Sequence, residues 1–352
     1  MSEEILVPEN ETVPAEDKMR SFKSVCVRIG ITMIVVFVAR AAASILLALI
    51  APMFEEMDQL AAYAIESVIS FIFLYIIPIA SVLLLLGEKG MCKRIYKKPI
   101  YFSNAMGMFP AFYGLAIFVN IITMLVSLLF KETNLNDSFN TVNELQPEGI
   151  GSALILLVQL VVIAPIFEEF WYRGVVLERL KPYGNGFAIF VTGILFGLTH
   201  GNLQQVFYAT TLGICLGYIA VTTKSIVVTT IMHAMFNSIS GLLLLFMSVP
   251  QIQDYMLELQ RGGEPEEGGI VILYFIYMFA VVMLLITGVL MAVWKMRKIK
   301  KYRVEKVWEI SAAKRWGIFL SRITVIIMLI LAADTLTFRF IPTAIYELIS
   351  GL

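Results

Sequence analysis

Stretches of about 20 consecutive apolar residues, long enough as helices to cross about 30 Å of hydrocarbon, decide the solvent of this chain before any other feature does. Nine candidate spans lie near 28–50, 66–86, 104–130, 150–172, 186–201, 204–222, 226–247, 269–294 and 316–334. Composition agrees: 59% of the 352 residues are hydrophobic and 15% charged, with a mean hydropathy of +0.83. A soluble domain averages about 45–50% and about 25%, so one water-soluble core cannot hide the excess. Backbone polar groups in hydrocarbon must be satisfied internally, and the runs lack the alternation of a barrel. The expected fold class is therefore all-α, a polytopic transmembrane helical bundle of about nine spans.

The connecting segments alternate in charge. "EKGMCKRIYKK" after the second span and "KMRKIKKYRVEK" after the eighth are basic, whereas "FEEMDQ", "KETNLNDSFNTVNELQPEG" and "DYMLELQRGGEPEEGG" are acidic or nearly free of Lys and Arg. Basic loops stay cytoplasmic, which sets the N-terminus inside and the C-terminus outside, in what is expected to be a bacterial plasma membrane. The lysines of the second basic loop favour anionic lipid, and Trp294, Trp308 and Trp316 around it fit an interfacial belt. The chain divides into a polar tail (1–27), N-terminal helices (28–149), a helical core (150–247) and C-terminal helices with a tail (248–352). The acidic tail has no apolar signal-peptide region. A formal net charge of zero argues against a nucleic-acid partner, and Cys26, Cys92 and Cys215, few and far apart, suggest no disulfide framework.

Against this background "APIFEEFWYRG" (164–174) stands out, with three ionisable groups in an apolar helix. Intramembrane charges are costly and mark function by default. Glu169 and Arg173 are spaced i,i+4 with the acid first, the favourable order for an ion pair. Adjacent helical residues point about 100° apart, so Glu168 and Glu169 are not expected to face one cavity. That makes Glu169–Arg173 a scaffold and Glu168 the working carboxylate. The chain has only two histidines. His200 ends "FGLTH", about 14 residues after the turn "KPYGNG", and Glu168 lies about 13 residues before it, so both sit roughly 20 Å from the turn at one depth. His233 and Asn237 of "HAMFN" share a face of the seventh span. Taken singly, each pair also reads as helix-packing glue. Three helices presenting their most polar side chains at compatible depths point to a site.

Two engines suit these groups. In one, Glu168 is a general base that activates water with His200, while His233 and Asn237 donate to the oxyanion of a peptide carbonyl. In the other, zinc held by Glu168, His200 and His233 lowers the pKa of its water. The local H-E-x-x-H zinc signature is absent, and so is a phosphate-cradling glycine loop.

"EEFWYRG", "FGLTH" and "HAMFN" resemble, in order and approximate spacing, the E-E-x-x-x-R, F-x-x-x-H and H-x-x-x-N motifs of the CPBP intramembrane proteases, a family that includes type II CAAX prenyl proteases and bacteriocin-processing or immunity proteins. The resemblance covers about residues 155–240, a quarter of the chain. It implies a helical-bundle endopeptidase with an intramembrane cavity open to the cytosol, acting on a membrane-embedded or lipidated peptide. It carries water activation onto Glu168 and His200, oxyanion stabilisation onto His233 and Asn237, and the supporting role onto Glu169 and Arg173. The family has been described both as metalloproteases and as metal-independent glutamate proteases. The metal-free engine, with no required cofactor, is expected here, and zinc is the alternative. Tyr172 stands where the family commonly has Phe. The eighth and ninth spans, the acidic tail and the loop at 131–150 also depart from it, so a prenylated CAAX substrate is not carried over. Two readings compete: a non-enzymatic scaffold or regulator using the same cluster for packing, and an ion-coupled transporter, against which the lack of an inverted repeat weighs.

Overall fold

The computed structural model describes residues 15–86, 102–130, 147, 149–265, 268–296 and 310–337, and among them every regular element is helical. The acidic N-terminal segment before 15, both basic loops, the 131–146 loop and the C-terminal "TAIYELISGL" lie outside the described residues. Seven helices are long and apolar enough to cross a membrane: α1 (Glu16–Phe54), α2 (Gln59–Leu86), α3 (Phe102–Phe130), α4 (Gly149–Tyr183), α6 (Leu203–Thr223), α7 (Ile226–Met247) and α9 (Gly269–Lys295). Between them lie the short α5 (Asn185–Leu198) and α8 (Pro250–Gln260). The chain closes with α10 (Ala312–Leu320) and α11 (Ile323–Leu336), bent 75° against each other. It is an integral membrane protein.

The count of nine uninterrupted spans needs two corrections. Helix α5 has 14 residues, about 21 Å of rise against about 30 Å of hydrocarbon, and so cannot cross alone. The ninth expected span is broken at Ser321 and Arg322, which makes eight only if the bent pair is one span. Other boundaries also move. Glu16 and Asp17 form the first turn of α1, where carboxylates favour the helix dipole, and Phe22 and Cys26, inside the stretch read as a polar tail, are fully buried. Helix α4 runs eleven residues past its expected end at 172 to Tyr183. Helix α8 was not expected. Proline at its first position and apolar Ile252, Tyr255 and Met256 at i, i+3 and i+4 give it an inner face, with Ile252 buried against Val271 and Tyr274 of α9.

Small residues set how closely the helices approach. A Cβ on Gly213 of α6 would lie 2.9 Å from the Cα of Gly193 on α5, so these two backbones pack with no side chain between them. Gly114 on α3 faces Gly288 on α9 in the same way, a Cβ there falling 2.7 Å from the facing Cα. Two apolar clusters result. One joins α1, the end of α4, α5, α10 and α11, and the other joins α3, α6, α7 and α9. The polar cluster lies among α4, α5, α6 and α7.

Helix α4 is irregular where it matters. Two π-helical segments, Gln159–Ile163 and Phe170–Leu177, flank the α-turns Ala164–Glu169 that carry both glutamates. Such segments are frequent at functional sites. The first has a local cause. The N–H of Ala164 bonds five residues back to Gln159 O, and in that register the next donor, to Leu160 O, would be Pro165, which has no N–H.

Candidate active site

A buried ion pair ties four helices together. Arg173 Nη1 lies 2.8 Å from Glu169 Oε1 on α4, and neither side chain has any exposure. The guanidinium also donates from Nη2 to Gly213 O on α6 at 3.1 Å, and its Cζ lies 4.7 Å from the centroid of the Phe196 ring on α5. Glu169 Oε1 accepts a further hydrogen bond from His233 Nδ1 on α7 at 3.0 Å. A ring nitrogen that bonds a carboxylate carries the hydrogen, so Nε2 is the atom His233 has left for chemistry. That Nε2 lies 3.8 Å from Glu168 Oε2. The two neighbouring glutamates therefore reach the same imidazole on its opposite nitrogens. Sharing one cavity was not expected of them, and it is the flat ring from α7, spanning the angle between their side chains, that makes it so.

The two carboxylates differ in surroundings. Glu169 is sealed between a guanidinium and an imidazole, whereas the side chain of Glu168 keeps 19% exposure. Glu168 Oε1 accepts from Tyr75 Oη on α2 at 3.3 Å.

His200 stands just past the end of α5. Its Nδ1 donates to Phe196 O at 2.8 Å, which fixes the hydrogen on Nδ1 and turns the lone pair of Nε2 outward. Both imidazoles pack edge-on to one ring: the Phe196 centroid lies 4.9 Å from that of His200 and 5.5 Å from that of His233. His200 and His233 thus gather around Phe196, and Glu168 adjoins them through His233. Asn237, one turn beyond His233, donates from Nδ2 to Leu160 O at 2.8 Å. This is the carbonyl that Pro165 cannot serve, so one amide hydrogen caps the π-segment and the second is the one available to a ligand.

Sequence reasoning missed Tyr75 and left Arg40 without a role. Tyr75 lies in "FIFLYIIP", where no periodicity separates it from its apolar neighbours. Arg40 Nη1 donates to Thr199 O, next to His200. Tyr172 also acquires a part: its hydroxyl hydrogen-bonds Thr199 Oγ1 at 2.6 Å, a contact that phenylalanine lacks. Among the described residues no three His, Cys, Asp or Glu side chains form a group that could hold a metal ion. Both histidines are held through Nδ1, the arrangement that also supports metal-ligating histidines, and each keeps Nε2 for a ligand.

Residues 150–239 match the family model described as type II CAAX prenyl endopeptidase Rce1-like. The match spans about a quarter of the chain, and it is this helical core that is similar to the family. No curated protein and no solved structure matches the chain. The Rce1-like segment contains Glu168, Glu169, Arg173, His200, His233 and Asn237, whereas Arg40 and Tyr75 lie outside it. The match supports an intramembrane endopeptidase of the CAAX type in general.

Proposed function

We propose that this protein hydrolyses a peptide bond within a membrane-associated or lipidated protein, using Glu168 as general base. The observation that carries the reading is the buried chain Arg173–Glu169–His233, which ends at a partly open carboxylate in the middle of a membrane helix. A packing cluster has no need of a second glutamate held beside an oriented imidazole.

In the proposed mechanism Glu168 accepts one proton of a water while the Nε2 lone pair of His200 accepts a hydrogen bond from the other. The water oxygen attacks the peptide carbonyl carbon. His233, protonated on both nitrogens in this step, donates from Nε2–H, and the second amide hydrogen of Asn237 donates to the same oxygen, on which negative charge develops. Collapse of the tetrahedral intermediate breaks the C–N bond, and the proton held by Glu168 passes to the leaving amine. Donors fixed before charge develops are worth several kcal/mol in a site shielded from water. Glu169 and Arg173 orient His233, and membrane lipids form the surroundings.

The 3.8 Å approach of His233 Nε2 to Glu168 Oε2 favours a second assignment, in which the Nε2 lone pair of His233 shares the water in place of His200 and Asn237 alone donates to the oxyanion. In sidedness, the orientation read from the basic segments, N-terminus cytoplasmic and C-terminus outside, requires α5 and α6 to enter and leave by one face.

The test is cleavage of a library of membrane and lipidated peptides by purified protein, with Glu168→Gln and with a chelator. A general base contributes about 10²–10⁴-fold. Turnover should fall by that factor in the variant and survive the chelator. Loss in both would point to zinc. Retention of activity by Glu168→Gln would remove Glu168 as base, and a wild type inert on every peptide would favour a scaffold.

A further inference from the structure

We infer that Arg40, on the first helix and outside the Rce1-like segment, is a positioning residue for His200. The inference rests on the endopeptidase reading only in taking His200 as part of the site.

A helix end leaves backbone carbonyls without intrahelical donors, and at membrane depth water does not replace them. Helix α5 is too short to reach both membrane faces, so its end lies inside the bundle. Several groups around this end have protein partners. Thr199 Oγ1 donates to Phe196 O at 3.0 Å and to Leu195 O at 3.3 Å, and His200 Nδ1 donates to the same Phe196 O at 2.8 Å. Gly197 O accepts from His200 N at 3.1 Å, and Thr199 O, beyond the helix end, accepts from the Arg40 guanidinium. On the far side of the break, the Asn202 side chain caps α6 by accepting from Gln205 N at 2.8 Å.

Arg40 lies flat against this turn. Gly201 has φ +73, and a Cβ there would fall 2.8 Å from Arg40 Cζ. From the other side, Tyr172 Oη hydrogen-bonds Thr199 Oγ1 at 2.6 Å. The residues on either side of His200 are thus held by α1 and α4, while its own ring is held by α5. A cation at a helix C-terminus is favourable, and the planar guanidinium matches a carbonyl edge better than an ammonium does. An arginine within a membrane helix is expensive and is kept where it has a partner to serve. Displacing a reacting group by about 1 Å can lower a rate by about 10²-fold.

Two measurements on the full chain test this, and the first needs no turnover. The chain has two histidines, so histidine-selective ¹⁵N labelling yields two imidazoles, assigned with His200→Gln. In Arg40→Met the His200 nitrogens should shift and its Nδ1 hydrogen should exchange at least tenfold faster, with the His233 signals unchanged. Unchanged His200 signals would overturn the inference, as would an equal change at both histidines. In the second, on a peptide the wild type cleaves, Arg40→Met should lower kcat about 10–100-fold with KM within about twofold, and added guanidinium should restore part of it. A rise in KM at constant kcat would place Arg40 on the substrate and overturn the positioning role. Should Arg40→Met not fold, Arg40→Lys, which keeps the charge and loses the planar fork, is read by the same signals. A wild type inert on all peptides would sink the endopeptidase reading and leave the spectroscopic test standing.

Discussion

Arg173→Met removes the cation from a carboxylate that has no exposure. The lost contacts are the 2.8 Å ion pair with Glu169, the 3.1 Å hydrogen bond to Gly213 O and the position over Phe196 at 4.7 Å. Removing one partner of a buried pair costs about 3–5 kcal/mol, mostly because the other charge stays buried. Glu169→Gln alone should cost nearly as much, since it strands the guanidinium while leaving a carbonyl oxygen for His233 Nδ1. The double variant has no stranded charge and retains that acceptor. Its cost should fall short of the sum of the two by about 2–3 kcal/mol, the upper range of measured couplings. The assay is unfolding in mixed detergent micelles followed by tryptophan fluorescence, with Trp171 of α4 buried near the pair. Additive single effects would refute the reasoning, because independent costs mean the two charges do not compensate each other. A wild-type-like Arg173→Met would refute it more simply.

Two further outcomes follow from individual hydrogen bonds. Tyr75→Phe removes the 3.3 Å donor to Glu168 Oε1 and should change turnover by about 2–12-fold, the equivalent of a bond worth about 0.5–1.5 kcal/mol, measured as kcat on a cleaved peptide with stability unchanged. Asn237→Leu leaves Leu160 O, the carbonyl stranded by Pro165, without its donor. It should destabilise the protein by about 1–3 kcal/mol in the same micelle assay. An Asn237→Leu variant that loses turnover at full stability would assign Asn237 to catalysis alone.

Much of the architecture was legible in the apolar runs, because hydrocarbon admits only segments that satisfy their own backbone and are long enough to cross. The Glu169–Arg173 pair was legible for a similar reason: i,i+4 spacing is local geometry, and both residues lie on one helix. Other features were hidden. Hydropathy could not reveal that α5 stops at Leu198 or that the last span bends at Ser321, since an apolar run reports its solvent and not its continuity. Helix α8 was read as a connecting segment because two acids and three glutamines among its eleven residues keep its hydropathy low, although its inner face follows helical spacing.

The chain by itself determined the solvent, the helical class and which polar residues would stand at membrane depth, because these depend on residue type and on spacing along one helix. Only the tertiary structure decided what those residues touch. It placed one imidazole between two adjacent glutamates, gave Asn237 the carbonyl left by Pro165, and brought Tyr75 and Arg40 from the first two helices to Glu168 and to the turn of His200. Helical periodicity fixes the face on which a side chain lies. The neighbour that meets that face is set by packing between helices distant in sequence, through approaches such as that of Gly193 to Gly213, which no local pattern records.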